Sequence, residues 1–373
     1  MPMPGSTPPD SPPTIHTVAI VGTGLIGGSL GMALRARVPS VRVVAVDVEG
    51  VAAAAVAAGA AHAALPLAEA VRGADLVVVA APPGVSLGLV GEIAPHLRPS
   101  AILSDVGSVK APFLAAAVAA VAGAHRIVGG HPMAGRETGG LVSADARLFE
   151  NAAWVLCPAQ NDDTSAVDAL AALVSAVGAR VVVMDAARHD RTAAAVSHVP
   201  QLAAVALVTA ALGDDPGARR LAGGGFRDVT RIAASPWPLW QGILSANHGA
   251  ALAALDGLRS ELDTVRDALA RRDWAALDAA FARAAHLRSG IPVDARGFLR
   301  PLAEIAVDAD DRPGFLAALT ATLATAGLNI ADLELLKVRE GLDGVFRVAF
   351  ATDADRAAAL TALSAAGFVA RMR

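Results

Sequence analysis

A glycine-rich turn near the start of the chain constrains the fold more than any other feature. An apolar run at residues 18–21 leads into GTGLIG at residues 22–27, and a helical pattern follows at once. This order predicts a strand, a tight turn and a helix. Gly22 permits the turn, Gly24 lets the backbone approach a pyrophosphate, and Gly27 lets the helix pack closely on the strand.

A second apolar run, residues 41–46, ends at Asp47, which lies 20 residues after Gly27. An acid at that strand end accepts hydrogen bonds from an adenosine ribose, and its charge repels a 2′-phosphate. We therefore expect NAD rather than NADP, with its phosphates at the helix start near Leu25 and Ile26. The alternative is an ordinary strand–helix turn followed by a surface aspartate.

Composition limits the class of protein. The length of 373 residues suggests two or three domains, and the net charge of −4 gives no general attraction to nucleic acid or anionic lipid. Cys157 is the only cysteine, which excludes an intramolecular disulfide and a cysteine-rich metal site. No metal is expected. The apolar stretch at 193–212 carries polar residues that are costly in lipid, so we expect a cytoplasmic protein without a membrane span.

The chain divides by pattern into four segments. Residues 1–15 are rich in proline and predict a disordered tail. Residues 16–185 alternate short Val/Ile runs with helical stretches, which indicates an α/β, Rossmann-type, doubly wound sheet. Residues 186–298 show only helical periods with extra apolar faces, which favours an all-helical domain that forms a homodimer. Residues 299–373 read as βαββαβ, a ferredoxin-like module.

The predicted strands of the first sheet are residues 18–21, 41–46, 76–80, 101–104, 126–128, 153–156 and 181–184. Ligands of such sheets bind beyond the carboxyl ends of the strands. Three short segments fall there, and they contain Pro82, Ser108 and His131. We therefore expect these residues to face the cofactor.

His131 is predicted to lie in a loop after a strand, where a neutral imidazole beside a nicotinamide would accept a hydroxyl proton. A solvated or structural histidine is the alternative. Ser108 precedes a helix and would orient His131 or the nicotinamide, or else cap the helix. A Ser–His hydrolase is a further reading, but no G-x-S-x-G elbow accompanies it. Arg231 would grip a carboxylate, or be a solvated charge, and Asp190 is expected to be a helix-end acceptor.

Six stretches together resemble the prephenate dehydrogenase family in its form with a C-terminal ACT domain. They are GTGLIGGSL, SDVGSVK, GGHPMAGRE, HDRTAAAVSHVP, GGGFRDVTRIAASPWPLW, and DRPGFLAAL with GLNI. The resemblance implies NAD-dependent oxidative decarboxylation of prephenate to 4-hydroxyphenylpyruvate, a step of tyrosine biosynthesis.

The resemblance also implies residue roles. His131 matches the catalytic histidine and Ser108 the serine that bonds it. Arg231, Gly225 and Gln201 match substrate-binding positions, although the family often has a second histidine where this chain has Gln201. Since glutamine cannot become cationic, arogenate is an alternative substrate that would give tyrosine directly.

The last segment resembles an ACT module, which implies tyrosine as a feedback effector. The implied effector residues are Asp311, Pro313, Gly314 and Asn329, the last of which is expected to open the second strand. A dimerisation module that binds nothing is the alternative. A non-catalytic regulator that binds NAD and an amino acid is a third function built from the same parts.

Overall fold

The computed structural model describes residues 15–121, 126–135, 138–159, 164–213, 217–291, 302–309, 312–336 and 344–372. The chain divides into two units, and the boundary falls between Gly290 and Ile291. The domain ends at residues 185 and 298 stay predictions.

Within the described residues, eight strands form the sheet of the first unit. They are β1 (Thr17–Val21), β2 (Arg42–Val46), β3 (Ala63–Ala64), β4 (Leu76–Val79), β5 (Ile102–Asp105), β6 (Ile127–Pro132), β7 (Ala153–Pro158) and β8 (Arg180–Val183). Their spatial order is β3-β2-β1-β4-β5-β6-β7-β8. Neighbouring strands are parallel, except that β6 and β7 are antiparallel.

Helices cover both faces of this sheet. They are α1 (Leu25–Arg37), α2 (Glu49–Ala57), α3 (Leu67–Gly73), α4 (Pro83–Ile93), α5 (Ala111–Ala120) and α6 (Thr164–Ala176). In β1, Val18 and Ile20 pack into the core under α1 and α6, whereas Ala19 and Val21 pack into the core under α3, α4 and α5. A strand that is apolar on both sides is typical of a parallel sheet buried between helices. The predicted doubly wound Rossmann-type fold is confirmed.

One strand extends further than predicted. The sequence predicts that strand β6 ends at Val128 and that His131 lies in a loop, which is wrong, because β6 continues to Pro132. The antiparallel ladder with β7 causes the extension, since it pairs His131 with Val155 and Pro132 with Trp154. His131 is therefore held by sheet hydrogen bonds on a rigid element.

Helices fill the rest of the first unit. They are α7 (Ala186–Ala193), a π-helical turn (Ala194–His198), α8 (Val199–Leu212), α9 (Ala218–Leu221), α10 (Gly224–Thr230), a 3₁₀ helix (Arg231–Ala234), α11 (Trp237–Ala246), α12 (His248–Ala270) and α13 (Trp274–Ser289). This confirms the all-helical prediction for the described part of the segment. By length and composition alone, the continuous stretch Ala186–Leu212 would reach across a membrane.

The second unit has the predicted βαββαβ order. Its elements are β9 (Ala303–Ala309), α14 (Phe315–Thr325), β10 (Asp332–Leu336), β11 (Gly344–Phe350), α15 (Asp353–Ala365) and β12 (Ala370–Met372). The four antiparallel strands are ordered β10-β11-β9-β12. Ile305 and Val307 of β9 pack against Leu319 of α14 and Leu363 of α15. The ferredoxin-like architecture is confirmed.

Candidate active site

The turn after β1 requires glycine at two positions. Gly22 has φ +98°, and a Cβ there would lie 2.6 Å from the carbonyl oxygen of Ala80. A Cβ on Gly27 would lie 1.9 Å from the carbonyl oxygen of Gly22. Both positions therefore exclude a side chain for steric reasons, as the motif predicts.

Gly24 is different, because a Cβ there would meet no heavy atom within 4 Å. Gly24 is the N-cap of α1 and has no side chain that could bond the N–H groups of the first turn, where Leu25 and Ile26 lie. Open space in front of an uncapped helix start fits the pyrophosphate of a dinucleotide, which binds such N–H groups. The residues present therefore fit the cofactor predicted from the sequence.

Asp47 follows β2 and is fixed beside this turn. Its Oδ2 accepts hydrogen bonds from the backbone N–H of Thr23 at 2.7 Å and from the Thr23 hydroxyl at 3.0 Å. Its Oδ1 accepts from the N–H of Val48 at 2.8 Å. The carboxyl group is thus fixed beside the glycine-rich turn, and its two oxygens have further lone pairs that can accept hydrogen bonds from hydroxyl groups.

Replacing Asp47 with serine should raise the ratio of NADP to NAD use about ten- to a hundredfold. A hydrogen bond to a charged group contributes about 1.5–3 kcal/mol, and the repulsion of a 2′-phosphate disappears with the carboxylate. The measurement is kcat/KM for each cofactor. Asp75→Ser is the matched control, because Asp75 precedes β4 at the opposite end of the sheet. An unchanged cofactor ratio in Asp47→Ser would remove this residue from ribose recognition.

A cleft runs from the end of β4 toward α11. Pro82 is the N-cap of α4, and together with Pro83 it lines a cavity of about 530 Å³ whose other wall is α11, at Gln241 and Gly242. A smaller adjoining pocket is lined by Pro83 and Ser108. Pro82 and Ser108 therefore border the same cleft at the carboxyl ends of β4 and β5, as expected.

Ser108 does not cap the following helix. Helix α5 begins at Ala111 and its N-cap is Lys110, so the helix-cap alternative is wrong. The Ser108 hydroxyl is half-buried and has no hydrogen-bond partner among the residues that the structure describes. It is available to a ligand in the cleft.

His131 begins a buried chain of hydrogen bonds that the sequence did not reveal. Its Nδ1 lies 2.8 Å from Nε2 of His189, and Nδ1 of His189 lies 2.7 Å from Oδ1 of Asp190. All three side chains are buried. The carboxylate of Asp190 also accepts the backbone N–H groups of Lys110 at 2.7 Å and Ala111 at 2.9 Å. Asp190 therefore caps the start of α5, which confirms the expected helix-end acceptor.

This chain of bonds assigns the protons. Asp190 only accepts, so Nδ1 of His189 carries a hydrogen and its Nε2 is left as an acceptor. Nδ1 of His131 must then donate to His189. The lone pair of His131 consequently lies on Nε2, at the opposite side of the ring, where none of the described residues forms a hydrogen bond with it.

Burial, nearby charge and hydrogen bonds set the charge states of His131 and Asp190, the two ends of the hydrogen-bond chain. Burial is the largest influence on His131 and holds its pKa well below the usual 6.5, and the positive charge of Lys110 lowers it further. Burial acts to raise the pKa of Asp190, but the hydrogen bonds from His189 and from the start of α5 outweigh it and leave the pKa lowered. His131 is neutral and Asp190 ionised near pH 7.

The helical segment places Gln201 against the residue that follows Arg231. Gln201 is buried in α8, and its Nε2 donates to the carbonyl of Ile232 at 2.9 Å. Ile232 immediately follows Arg231, an exposed residue at the start of the 3₁₀ helix. Gly225 lies in the first turn of α10, on the same segment.

Asn247 is a further buried residue that the sequence did not single out. Its Nδ2 donates to the carbonyl of Asp190 at 2.8 Å and lies 3.4 Å from Nδ1 of His198. It joins the start of α12 to α7 and to the π-helical turn. In the sequence, this cluster is marked only by the adjacent pairs His189-Asp190 and Ser197-His198. Neither pair indicates a contact with His131.

Other sequence expectations concern Cys157 and the second unit. Cys157 is buried in β7, and burial raises the pKa of its thiol to about 12, so it is not a nucleophile.

Pro313 and Gly314 form an exposed turn before α14, with Gly314 at φ +87°. Asn329 is exposed three residues before β10, so it does not open that strand, because pairing with β11 begins only near Ala331. Asp311 lies outside the described residues.

Comparison with known proteins follows this division of the chain. Models of the prephenate dehydrogenase nucleotide-binding domain, the prephenate dehydrogenase dimerization domain and the ACT domain match residues 30–183, 185–283 and 303–368. The chain is similar to prephenate dehydrogenase of Bacillus subtilis, with 33% identity over 91% of this chain and 93% of that protein. The chain belongs to the prephenate dehydrogenase family.

Solved structures of the family agree. The prephenate dehydrogenase of Aquifex aeolicus, in complex with hydroxyphenyl propionate and NAD+, is 27% identical with a TM-score of 0.69, covering 75% of this chain and 99% of that one. Arogenate dehydrogenase of Synechocystis is 29% identical with a TM-score of 0.67, covering 73% and 99%. The chain is an NAD-dependent oxidoreductase of the prephenate dehydrogenase family, with a C-terminal ACT domain.

Proposed function

We propose that this member of the family oxidises and decarboxylates prephenate to 4-hydroxyphenylpyruvate, with His131 as the base and tyrosine as an effector. The observation that carries the proposal is the buried chain from His131 through His189 to Asp190, which leaves a neutral Nε2 on His131. A regulator that only bound NAD would not need this device.

The chemistry asks little of the protein beyond orientation, one base and charge pairing. Nε2 of His131 accepts the proton of the ring hydroxyl, and Asp190 stabilises through His189 the positive charge that forms. Bound NAD accepts the hydride from the hydroxyl-bearing carbon. Loss of CO₂ from the opposite ring carbon returns its bonding electron pair to the ring. The ring becomes aromatic, and His131 gives the proton back to the phenolate oxygen.

Substrate binding is assigned to the helical segment. Arg231 would form a bidentate pair with a substrate carboxylate, supported by the bond that joins Gln201 to the neighbouring Ile232. Gly225, on the same segment, would allow the substrate to approach the backbone. A guanidinium favours a keto acid over the ammonium group of arogenate, so prephenate is the first choice.

Arogenate is the second candidate, because Gln201 stands where a cationic histidine is common in the family and because an arogenate dehydrogenase is among the structural neighbours.

We further propose that the protein acts as a cytoplasmic homodimer. Helices α12 and α13 expose large apolar side chains, among them Leu262 and Phe281, that a second copy would cover. Polar, buried His198 and Gln201 argue that the apolar stretch 193–212, which contains them, does not sit in lipid.

A single set of turnover measurements tests these proposals. Purified protein with NAD should produce NADH and CO₂ from prephenate with a higher kcat/KM than from arogenate, and tyrosine should lower the rate. A preference for arogenate would replace the proposed substrate. No turnover of either compound would favour the non-catalytic regulator, and no response to tyrosine would leave the second unit, with Pro313, Gly314 and Asn329, as a module without that effector.

A further inference from the structure

A lysine lies completely buried beneath the strand that carries His131. Lys110 is 0% exposed and is among the largest fully buried side chains in the described residues. Of the 31 lysine and arginine residues in the chain, only Lys110 and Lys337 are lysine. A chain that uses arginine almost everywhere has a lysine at the most buried cationic position of its described residues. A lysine ammonium is more compact than the planar guanidinium of arginine.

The ammonium of Lys110 binds the backbone directly before His131. Its Nζ forms a close ion pair with Asp105 and donates to the carbonyl of Gly130 at 2.6 Å. Oδ1 of Asp105 accepts the N–H of the same Gly130 at 3.1 Å. The ion pair therefore holds both polar backbone groups of the residue that precedes His131.

The backbone of Lys110 reaches the other end of the hydrogen-bond chain. Its N–H donates to Oδ1 of Asp190, the same oxygen that faces His189. One residue thus contacts the peptide before His131 with its side chain and the terminal carboxylate with its main chain. A shift of Lys110 would therefore move His131 and Asp190, the two ends of the hydrogen-bond chain, relative to each other.

The two glycines of GGH make room for this arrangement. A Cβ on Gly129 would lie 3.1 Å from Cδ of Lys110, and a Cβ on Gly130 would lie 2.5 Å from the carbonyl oxygen of Asp105. The ring of Phe113 lies under the ammonium, 5.7 Å from Nζ to the ring centroid. Close packing on every side limits the lysine to one position.

We propose that Lys110 is a positioning residue, which fixes His131 and Asp190 relative to each other so that the reacting nitrogen of His131 stays a correctly oriented, neutral base. This inference rests on the proposed role of His131. Because the side chain of Lys110 is completely buried, it is out of reach of a ligand bound in the cleft.

The charges around His131 set the sign of the expected pH effect. The charged and titratable groups that act on His131 are Lys110, His189 and His198. Asp190 lies one hydrogen bond further along the chain, beyond His189, and Asp105 is the ion-pair partner of Lys110. After burial, the charge of Lys110 is the next influence that lowers the pKa of His131. Removing that charge raises the pKa, so the protonated, inactive form persists to higher pH.

The test is Lys110→Met, which keeps an unbranched apolar stem as far as Cε and removes the ammonium. We expect kcat to fall about 10²-fold, the loss typical of a misplaced base, with KM for NAD unchanged. NMR titration of labelled histidines, assigned with His131→Asn, should show the His131 midpoint at higher pH than in the wild type. Lys337→Met makes the same change at the only other lysine of the sequence. It should alter neither kcat nor the midpoint of the His131 titration.

A second variant covers the case in which the single change leaves Asp105 as an unpaired buried charge and the protein unfolds. Asp105→Asn with Lys110→Met removes both charges together and should fold, bind NAD and retain the fall in kcat. Wild-type kcat and an unmoved His131 titration in that double variant would overturn the proposal. The titration needs no substrate, so a failure to oxidise prephenate would refute the proposed reaction and leave the positioning role standing.

Discussion

Asparagine at position 131 should lower kcat by about 10²–10⁴-fold, the range expected for loss of a general base. Asparagine cannot take a proton, but its Nδ2 can donate to Nε2 of His189 in place of the imidazole. The neighbouring bond from His189 to Asp190 is then kept. The variant should therefore fold and bind NAD normally, and the loss should appear in kcat rather than in KM for the cofactor.

The measurement is steady-state turnover together with NAD affinity and thermal unfolding. His96→Asn is the matched control, because His96 ends a short 3₁₀ helix after α4, and among the described residues its ring forms a hydrogen bond with Arg72 alone. That variant should turn over at the wild-type rate. If His131→Asn did the same, the base would have to be another residue, and the hydrogen-bond chain would be a structural device alone.

Much of the architecture was predictable because it depends on local sequence patterns. Runs of Val and Ile between helical stretches mark seven of the eight strands in the first sheet. The missing strand, β3, consists of Ala63–Ala64 and is too short to show a pattern. The end of β6 was misplaced for a different reason. Gly129 and Gly130 favour a loop locally, and only the pairing with distant β7 keeps them extended.

The cofactor turn was also predictable, since the steric demands on Gly22 and Gly27 are local. The hydrogen-bond chain was not. His131 and His189 are 58 residues apart, and no spacing rule connects a strand end to a helix that follows two strands later. Asp190 was correctly predicted to accept bonds at a helix end, but the helix is α5 rather than its own. The roles of the remaining site residues stay predictions.

Asp190→Asn should lower both activity and stability, by two separable causes. Three donors converge on the carboxylate, from His189, Lys110 and Ala111. An amide offers one oxygen, so at least one buried N–H loses its partner at a cost of about 1–3 kcal/mol in the free energy of unfolding. The negative charge that stabilises protonated imidazole also disappears, and we expect kcat to fall about 10²-fold or more.

Asp185→Asn separates these causes, because it makes the same change five residues earlier in the chain. Asp185 caps α7 by accepting the N–H of Arg188, and asparagine caps a helix about as well. Its stability and kcat should therefore match the wild type, as measured by denaturant unfolding and turnover at a temperature where every variant is folded. If Asp190→Asn lost stability and kept kcat, Asp190 would serve α5 alone. A loss in both quantities would show that the carboxylate holds the helix and also sustains the charge that passes through His189 when His131 takes a proton.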